Sequence, residues 1–145
     1  MQSTAAVRPD EPTLNLIPKE DVESVLPLVE AHLENVVERS RGSLTKEFIV
    51  AAFRSGDFQL WLIWNDGVMA VGVTELGFAP SGMKLCTIHF LTGENSLEWL
   101  HLIGTLEEWA KHQGCGRIKG YMRKGWAKRL PDYRMTHVML EKDLA

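Results

Sequence analysis

The sequence predicts an α/β fold of the α+β kind, built on one mixed sheet of about six strands with helices on both faces. Strand-like segments are interspersed with segments whose apolar residues recur at helical spacing. The helix predicted at residues 97–112 lies between two strands, as the crossover of a parallel pair does. A chain of 145 residues, 45% of them hydrophobic, can build a single core. We therefore expect one domain at residues 14–145 behind an N-terminal arm at residues 1–13.

The domain begins with a predicted strand and two helices. The arm before it is polar, contains proline and lacks periodicity. Thr13–Ile17 then alternates polar and apolar residues, as a short strand does. A helix follows, for which Asp21 is a suitable N-cap, and Pro27 marks either its first turn or a kink. A second helix is predicted from residue 44 or 45 to residue 54, where a Ser-Gly pair ends the pattern.

The centre of the chain changes to the periodicity of strands. Residues 58–64, 68–76 and 85–91 are rich in β-branched and aromatic residues. Short turn sequences containing Asn-Asp-Gly and Pro-Ser-Gly join them. These three segments therefore predict an antiparallel meander.

The last third of the chain returns to alternating helices and strands. The crossover helix at residues 97–112 carries an apolar stripe along one side. A strand near residues 117–122, a short turn or helix at residues 125–130 and a last strand near residues 135–142 complete the prediction.

Cysteine content and hydropathy exclude several classes of protein. Cys86 and Cys115 form no C-x-x-C motif, so neither a disulfide framework nor a zinc site is expected. His112 lies near Cys115, but no second ligand pair accompanies them, and we expect no metal. No segment approaches about eighteen uninterrupted apolar residues, and the N-terminal segment lacks the pattern of a signal peptide. We therefore expect a cytoplasmic protein with no membrane partner.

Charge is distributed unevenly along the chain. The net charge is −3, yet residues 111–134 carry eight basic side chains against Asp132 alone. Such a segment can attract phosphates, nucleic acid or an acidic protein surface. The alternative is a solvated basic surface without a ligand, because Lys and Arg are common surface residues. Nucleic-acid binding ranks last among the functions we consider, because few aromatic residues are interleaved with the basic ones.

Both ends of the domain carry motifs of a known family. Residues 14–21 (LNLIPKED) combine a strand with an acidic helix start, and residues 125–130 (GWAKRL) precede Tyr133 and a strand to Leu144. Together with the element order over about 130 residues, these segments resemble the GNAT fold of the Gcn5-related N-acetyltransferases. Residues 120–133 (GYMRKGWAKRLPDY) further resemble small GNAT-like proteins of tailed phages.

The resemblance implies a site for acetyl-CoA. In the family, the fourth strand splays from the fifth to admit the pantetheine arm, and a loop of pattern R/Q-x-x-G-x-G/A binds the pyrophosphate at a helix N-terminus. The corresponding loop keeps one glycine, lacks the Arg or Gln, and has a carboxylate where the diphosphate would approach; its candidate cofactor-binding residues are Leu91, Thr92, Gly93, Glu94, Asn95 and Ser96. Because a carboxylate repels a diphosphate, we do not expect acetyl-CoA to bind by the usual route.

Two further interpretations of this region remain open. Arg123, Lys124 and Lys128 could receive the phosphates from the other side of the cleft. Alternatively, Asn95 or Ser96 is simply the N-cap of the crossover helix and holds no ligand.

The resemblance also implies a group for acid–base chemistry. The tyrosine that many family members use falls on or near Lys128, where this chain has no tyrosine. His89 on the fourth strand is the best candidate base, with Glu75 and Tyr121 as weaker candidates. A histidine between Ile88 and Phe90 is also compatible with a packed, hydrogen-bonded residue.

These observations favour a GNAT-like protein whose acetyl-CoA site is degenerate and which acts through protein–protein contacts. The expected partner is another protein or a second copy of the chain, in a phage particle or in the cytoplasm of its host. No cofactor is expected in that case. The alternative is an active N-acyltransferase that uses acetyl-CoA.

Overall fold

The computed structural model describes residues 11–93 and 95–145, and its framework is a five-stranded mixed sheet. The strands are β1 (Thr13–Ile17), β2 (Gln59–Trp64), β3 (Val68–Phe78), β4 (Lys84–Gly93) and β5 (Arg117–Gly120). They lie in the order in which they occur along the chain. The first four pair antiparallel with their neighbours, whereas β4 and β5 run parallel. The predicted meander and the crossover between parallel neighbours are therefore confirmed.

In the described part of the chain, five α-helices connect and cover the strands: α1 (Val22–Arg39), α2 (Lys46–Ser55), α3 (Ser96–Trp99), α4 (Ile103–His112) and α5 (Trp126–Arg129). Pro27 lies inside α1 rather than in its first turn. Thr45 caps α2, because its side chain accepts a hydrogen bond from the amide of Phe48. The crossover segment predicted as one helix is α3 and α4 with a 3-10 turn, Leu100–Leu102, between them.

The two faces of the sheet are buried against different helices. On one face, Leu60 and Val71 pack with Leu33 of α1 and Phe53 of α2. On the other, alternate strand residues join the crossover helices: Trp61 and Ile88 with Leu106, and Ile63 and Ala70 with Trp99. Because successive strand residues point to opposite faces, a sheet whose residues are apolar on both sides needs helices on both. The expected helix layers are therefore confirmed.

The end of the chain differs from the prediction. Residues 135–142 form no strand, and β5 is the edge of the sheet in the part of the chain that the structure describes. The reason is that an apolar run becomes a strand only when a neighbouring edge pairs with its backbone. The two preceding elements are also shorter than predicted, because β5 ends at Gly120 and α5 covers only Trp126–Arg129.

Residues 1–10 of the predicted arm and Glu94 of the predicted loop lie outside the described residues. Within residues 11–93 and 95–145, no helix is long and apolar enough to cross a bilayer.

Candidate active site

Strands β4 and β5 separate partway along their length. Their parallel pairing runs from Leu85 and Arg117 to Ile88 and Gly120 and stops there, apart from a last hydrogen bond from the amide of Tyr121 to the carbonyl of Ile88. Strand β4 continues to Gly93, paired only with β3. Among the described residues, the other edge of residues 89–93 therefore has no strand beside it. The split opens at the carboxyl ends of two parallel strands, which is where ligands bind in α/β sheets.

His89 lies at the apex of this split. Val73 pairs with Phe90 and Thr74 with Ile88, so His89 is an extra residue in β4 and forms a β-bulge. The bulge allows both His89 and Phe90 to face the layer of α1 and α2. Phe90 packs there against the core, and the ring of His89 contacts Phe58 at a centroid distance of 4.8 Å. A bulge thus directs the predicted base toward the opening between the strands.

Glu75 on β3 holds the ring of His89. The Nε2 atom of His89 donates a hydrogen bond to Oε1 of Glu75 at 2.7 Å. Because an ionised carboxylate only accepts, Nε2 carries the proton and the lone pair resides on Nδ1. The side chains of His89 and Glu75 are 25% and 44% exposed, so both remain in contact with solvent. The pair can accept a proton from a ligand and stabilise the resulting imidazolium.

Tyr121 follows β5 and completes this cluster. Its ring stacks on His89 at a centroid distance of 6.4 Å and an interplanar angle of 20°. The three residues that the sequence suggested as catalytic candidates, His89, Glu75 and Tyr121, are therefore neighbours in space. Their neighbourhood arises because β3, β4 and β5 are adjacent in the sheet.

A cleft of about 780 Å³ lies further along β4 than His89, which does not itself line it. Leu91, Thr92 and Gly93 of β4 form one wall. The last turns of α1, the start of α3 and the segment around α5 form the others, with these lining residues: Ala31, His32, Asn35, Arg39, Ser96, Arg123, Gly125, Trp126 and Arg129. Of the described lining residues, three are arginines and none carries a carboxylate. The cleft is therefore suited to an anion.

The arginines reach the cleft from two separate elements. Arg39 is the last residue of α1, whereas Arg123 and Arg129 lie before and at the end of α5. The guanidinium of Arg129 donates a hydrogen bond to the hydroxyl of the buried Ser96, which joins α5 to the start of α3. It also lies over the ring of Trp126, 5.9 Å from the centroid. No ion pair involves Arg39 or Arg123 within residues 11–93 and 95–145.

Gly93 is required by close packing at the end of β4. A Cβ at this position would lie 2.5 Å from Cβ and 2.6 Å from Cα of Ala70, and as close to the carbonyl oxygen of Met69. Backbone atoms cannot move aside as a flexible side chain can. Close packing against Met69 and Ala70 therefore explains why position 93 is a glycine.

The structure separates the residues that the sequence proposed for cofactor binding. Leu91, Thr92, Gly93, Ser96 and Arg123 line the cleft, whereas Asn95, Lys124 and Lys128 do not belong to its lining. Glu94 lies outside the described residues. Asn95 occupies the N-cap position of α3 with a left-handed backbone, φ 56°, and its side chain makes no capping hydrogen bond.

Sequence reasoning missed Arg39 and Arg129. No local signal identifies Arg39, because it is brought to the cleft by the packing of α1. A signal for Arg129 was present, since Arg123, Trp126 and Arg129 recur every three residues and so share one side of the α5 segment. Lys124 and Lys128 repeat on a different side of it.

Comparison with known proteins adds information about the fold. No protein-family model matches the chain, and a search of curated protein sequences finds no match. An aminoglycoside acetyltransferase, meta-AAC0020, from an uncultured soil metagenomic sample, solved with trehalose, superposes with a TM-score of 0.68 at 13% identity, over 92% of this chain and 97% of that one. A Trypanosoma brucei acetyltransferase matches with a TM-score of 0.62 at 14% identity, over 92% and 100% of the two chains.

A third solved structure extends the comparison. A ribosomal-protein-alanine N-acetyltransferase from Brucella melitensis biovar Abortus 2308 matches with a TM-score of 0.63 at 8% identity, over 93% of this chain and 99% of that one. At such identities the likeness concerns the fold. The chain has the GNAT-like fold of these acetyltransferases, as the sequence predicted. The closer resemblance to phage proteins stays a prediction.

Proposed function

We propose that this protein is an N-acyltransferase that moves an acetyl group from acetyl-CoA to an amine. The observation that carries the proposal is the split between β4 and β5, which begins at His89, together with a cleft of three arginines further along β4. His89 offers a proton acceptor at one end of residues 89–93 of β4, and the arginines of the cleft attract anions at the other end. Acyl transfer from a thioester that bears phosphates needs both.

The residues of the split and cleft suit the coenzyme. The free edge of residues 89–93 offers backbone amides and carbonyls of the kind that pair with an extended, amide-bearing chain. Arg39, Arg123 and Arg129 offer charge-assisted hydrogen bonds to phosphates. Acetyl-CoA would supply an acetyl carbon activated as a thioester.

These arginines weigh against a degenerate site. The sequence expectation of degeneracy rested on the loop at residues 92–97, which lacks the family's Arg or Gln. The arginines of the cleft come instead from the end of α1 and from the segment around α5. Positive charge that the loop lacks is thus available from elements distant in sequence, which favours coenzyme binding over its loss.

His89 is the group that handles the proton. The amine arrives as an ammonium ion, and Nδ1 of His89 accepts one of its protons while Nε2 remains bonded to Glu75. The nitrogen then forms a bond to the acetyl carbon, the carbon–sulfur bond breaks with its electron pair going to sulfur, and the second proton that the nitrogen loses ends on that sulfur. An ammonium ion and acetyl-CoA are thereby converted to an amide, the free thiol of CoA and one proton released to solvent.

Calorimetric titration with acetyl-CoA tests the proposal. We expect micromolar binding and thermal stabilisation by the ligand, about 2.7 kcal/mol at a concentration 100 times Kd. Pantetheine, which lacks the phosphates, is the control ligand and should bind at least about tenfold more weakly because the arginines have nothing to contact. Absence of binding at millimolar acetyl-CoA would contradict the proposal.

A second candidate function is protein–protein interaction, the role first expected from the sequence. One observation favours it: the C-terminal segment carries exposed large apolar residues, namely Met135, Val138, Met139, Leu140 and Leu144. If it associates with copies of itself, light scattering should give a mass above that of the 16.4 kDa monomer, and M139K/L140K should restore the monomer. A role in a phage particle and binding of nucleic acid stay predictions.

A further inference from the structure

An aromatic surface extends from the protein exterior to the predicted base. The rings of Phe48 and Phe58 contact each other at a centroid distance of 6.0 Å, and those of Phe58 and His89 at 4.8 Å. Tyr121 continues the series beyond His89. The outer members, Phe48 and Tyr121, are 56% and 59% exposed. Exposed aromatic rings on both sides of a titratable pair form a surface on which an apolar ligand can be buried.

The position of this surface fits the entry of an acceptor. Phe48 belongs to α2, Phe58 precedes β2, and Tyr121 follows β5, so three separate elements contribute to it. None of these three residues lines the arginine cleft, which lies on the other side of His89 along β4. The two substrates of a transfer reaction must be bound at the same time. They would reach His89 from different directions, the coenzyme along the arginine cleft and the acceptor along the aromatic surface.

Charges around the aromatic surface restrict the ligand further. The carboxylate of Glu75 is partly exposed and favours a positively charged nitrogen at His89. At the outer end, the ammonium of Lys119 lies 5.8 Å from the centroid of the Tyr121 ring. A ligand with several positive charges along its length would place one of them near this lysine and be repelled.

We infer, on the basis of the proposed function, that the acceptor is a monoamine attached to a flat apolar group, an arylalkylamine rather than a polyamine. Its apolar body stacks on Phe58 and Tyr121, and its single ammonium group meets the His89 and Glu75 pair. Phe48 is then a specificity-determining residue, because it helps to bury the body of the acceptor and takes no part in the transfer.

Acetyl transfer to 2-phenylethylamine, spermidine and 1-aminobutane tests the inference with the full chain. We expect kcat/KM for 2-phenylethylamine to exceed that for each of the other amines by at least about tenfold. 1-Aminobutane lacks a ring that can stack, and spermidine carries additional positive charges that Lys119 repels. F48A should lower kcat/KM for 2-phenylethylamine about tenfold, mainly through KM, and leave 1-aminobutane within about twofold. F78A is the control, because Phe78 is exposed at the far end of β3 and should change nothing.

The outcomes distinguish this inference from the proposed function. Acetyl-CoA binding is measured by calorimetry for each variant and should be unchanged. Efficient acetylation of spermidine, no acetylation of 2-phenylethylamine, or an equal loss for all amines in F48A would overturn the inference while leaving coenzyme binding intact. Absence of acetyl-CoA binding in the unmodified chain would overturn both.

Discussion

His89 and Glu75 are joined by a hydrogen bond of 2.7 Å between strands β4 and β3, on the side of the sheet where the split with β5 begins. Glu75 pairs in register with Thr87, so it is a diagonal neighbour of His89 on the same face. The bulge at His89 keeps this contact and also allows Phe90 to enter the core. A single extra residue in β4 thus gives the histidine a fixed partner and an open side.

Replacement of His89 by glutamine should abolish most of the acetyl transfer. We expect kcat to fall about 100-fold, because general-base catalysis contributes on this scale. E75Q should lower kcat about tenfold, because its amide still accepts the hydrogen bond but no longer balances the charge of the imidazolium. Steady-state kinetics measures both effects, with acetyl-CoA affinity expected to stay within about twofold. A folded H89Q protein with normal kcat would show that the histidine only packs.

Loss of Arg39 or of Arg123 should weaken coenzyme binding. R39A and R123A should each raise Kd for acetyl-CoA about tenfold, because a hydrogen bond to a charged group contributes about 1.5 kcal/mol. K128A is the matched control, since Lys128 is also basic and belongs to α5 but does not line the cleft. Calorimetry should give it an affinity close to that of the unmodified chain. The reverse order, with Lys128 more important than Arg39, would contradict the position assigned to the phosphates.

Substitution of Gly93 by alanine should destabilise the protein and disturb the cleft. We expect the free energy of unfolding to fall by about 1–3 kcal/mol, because the added methyl group would overlap backbone atoms of Met69 and Ala70. G77A is the matched control, because nothing lies within 4 Å of a Cβ at that position of β3. Urea unfolding should place it within about 0.5 kcal/mol of the unmodified chain. Equal losses for the two variants would refute the role of close packing.

Stability should decline at alkaline pH, partly through Tyr133. Burial, and then the hydrogen bond of 2.6 Å that its hydroxyl donates to Glu107, raise the pKa of Tyr133 above its usual 10. The folded state therefore keeps a proton that the unfolded state loses, and stability falls as pH rises above about 10. Y133F has no such proton, so the fall above pH 10 should be shallower.

Cys86 should begin the same decline at lower pH. Burial raises the pKa of its thiol from about 9 to about 12, with a smaller contribution from Cys115. Its contribution is present below pH 9 and is lost between about pH 9 and pH 12.

Chemical denaturation from pH 8 to pH 11.5 measures the slope of stability against pH for the unmodified chain and for Y133F. Identical slopes above pH 10 would show that Tyr133 ionises equally in both states.

The helices and strands of the first two thirds of the chain could be predicted because their signals are local. Thr45 precedes an amphipathic run and caps α2, and the turn sequences of the meander separate β2, β3 and β4. The continuous apolar run of β2 was recognised as a strand, and the structure buries it on both faces, with Leu60 on one and Trp61 on the other. Periodicity and capping depend on neighbours in sequence, so these features needed no tertiary information.

The end of the chain could not be predicted in the same way. Residues 135–142 have the composition of a strand, but they remain outside the sheet and exposed in the structure. Composition describes what a strand would bury and says nothing about which edge would pair with it. The same limit applies to the division of the crossover into α3 and α4, since packing of Trp99 and Ile103 into the sheet sets its path.

The candidate site combines features that local sequence signals predict with features that long-range packing decides. By itself, the sequence determined the order of the elements as far as β5, because periodicity and turns are local, and its resemblance to the family gave the GNAT-like fold and the candidates His89, Glu75 and Tyr121. Only the tertiary structure decided that Arg39 and Arg129 face the opening of the split, and that Lys124 and Lys128 do not. The convergence of α1 with the α5 segment is a consequence of long-range packing, and no spacing along the chain encodes the direction in which each side chain points.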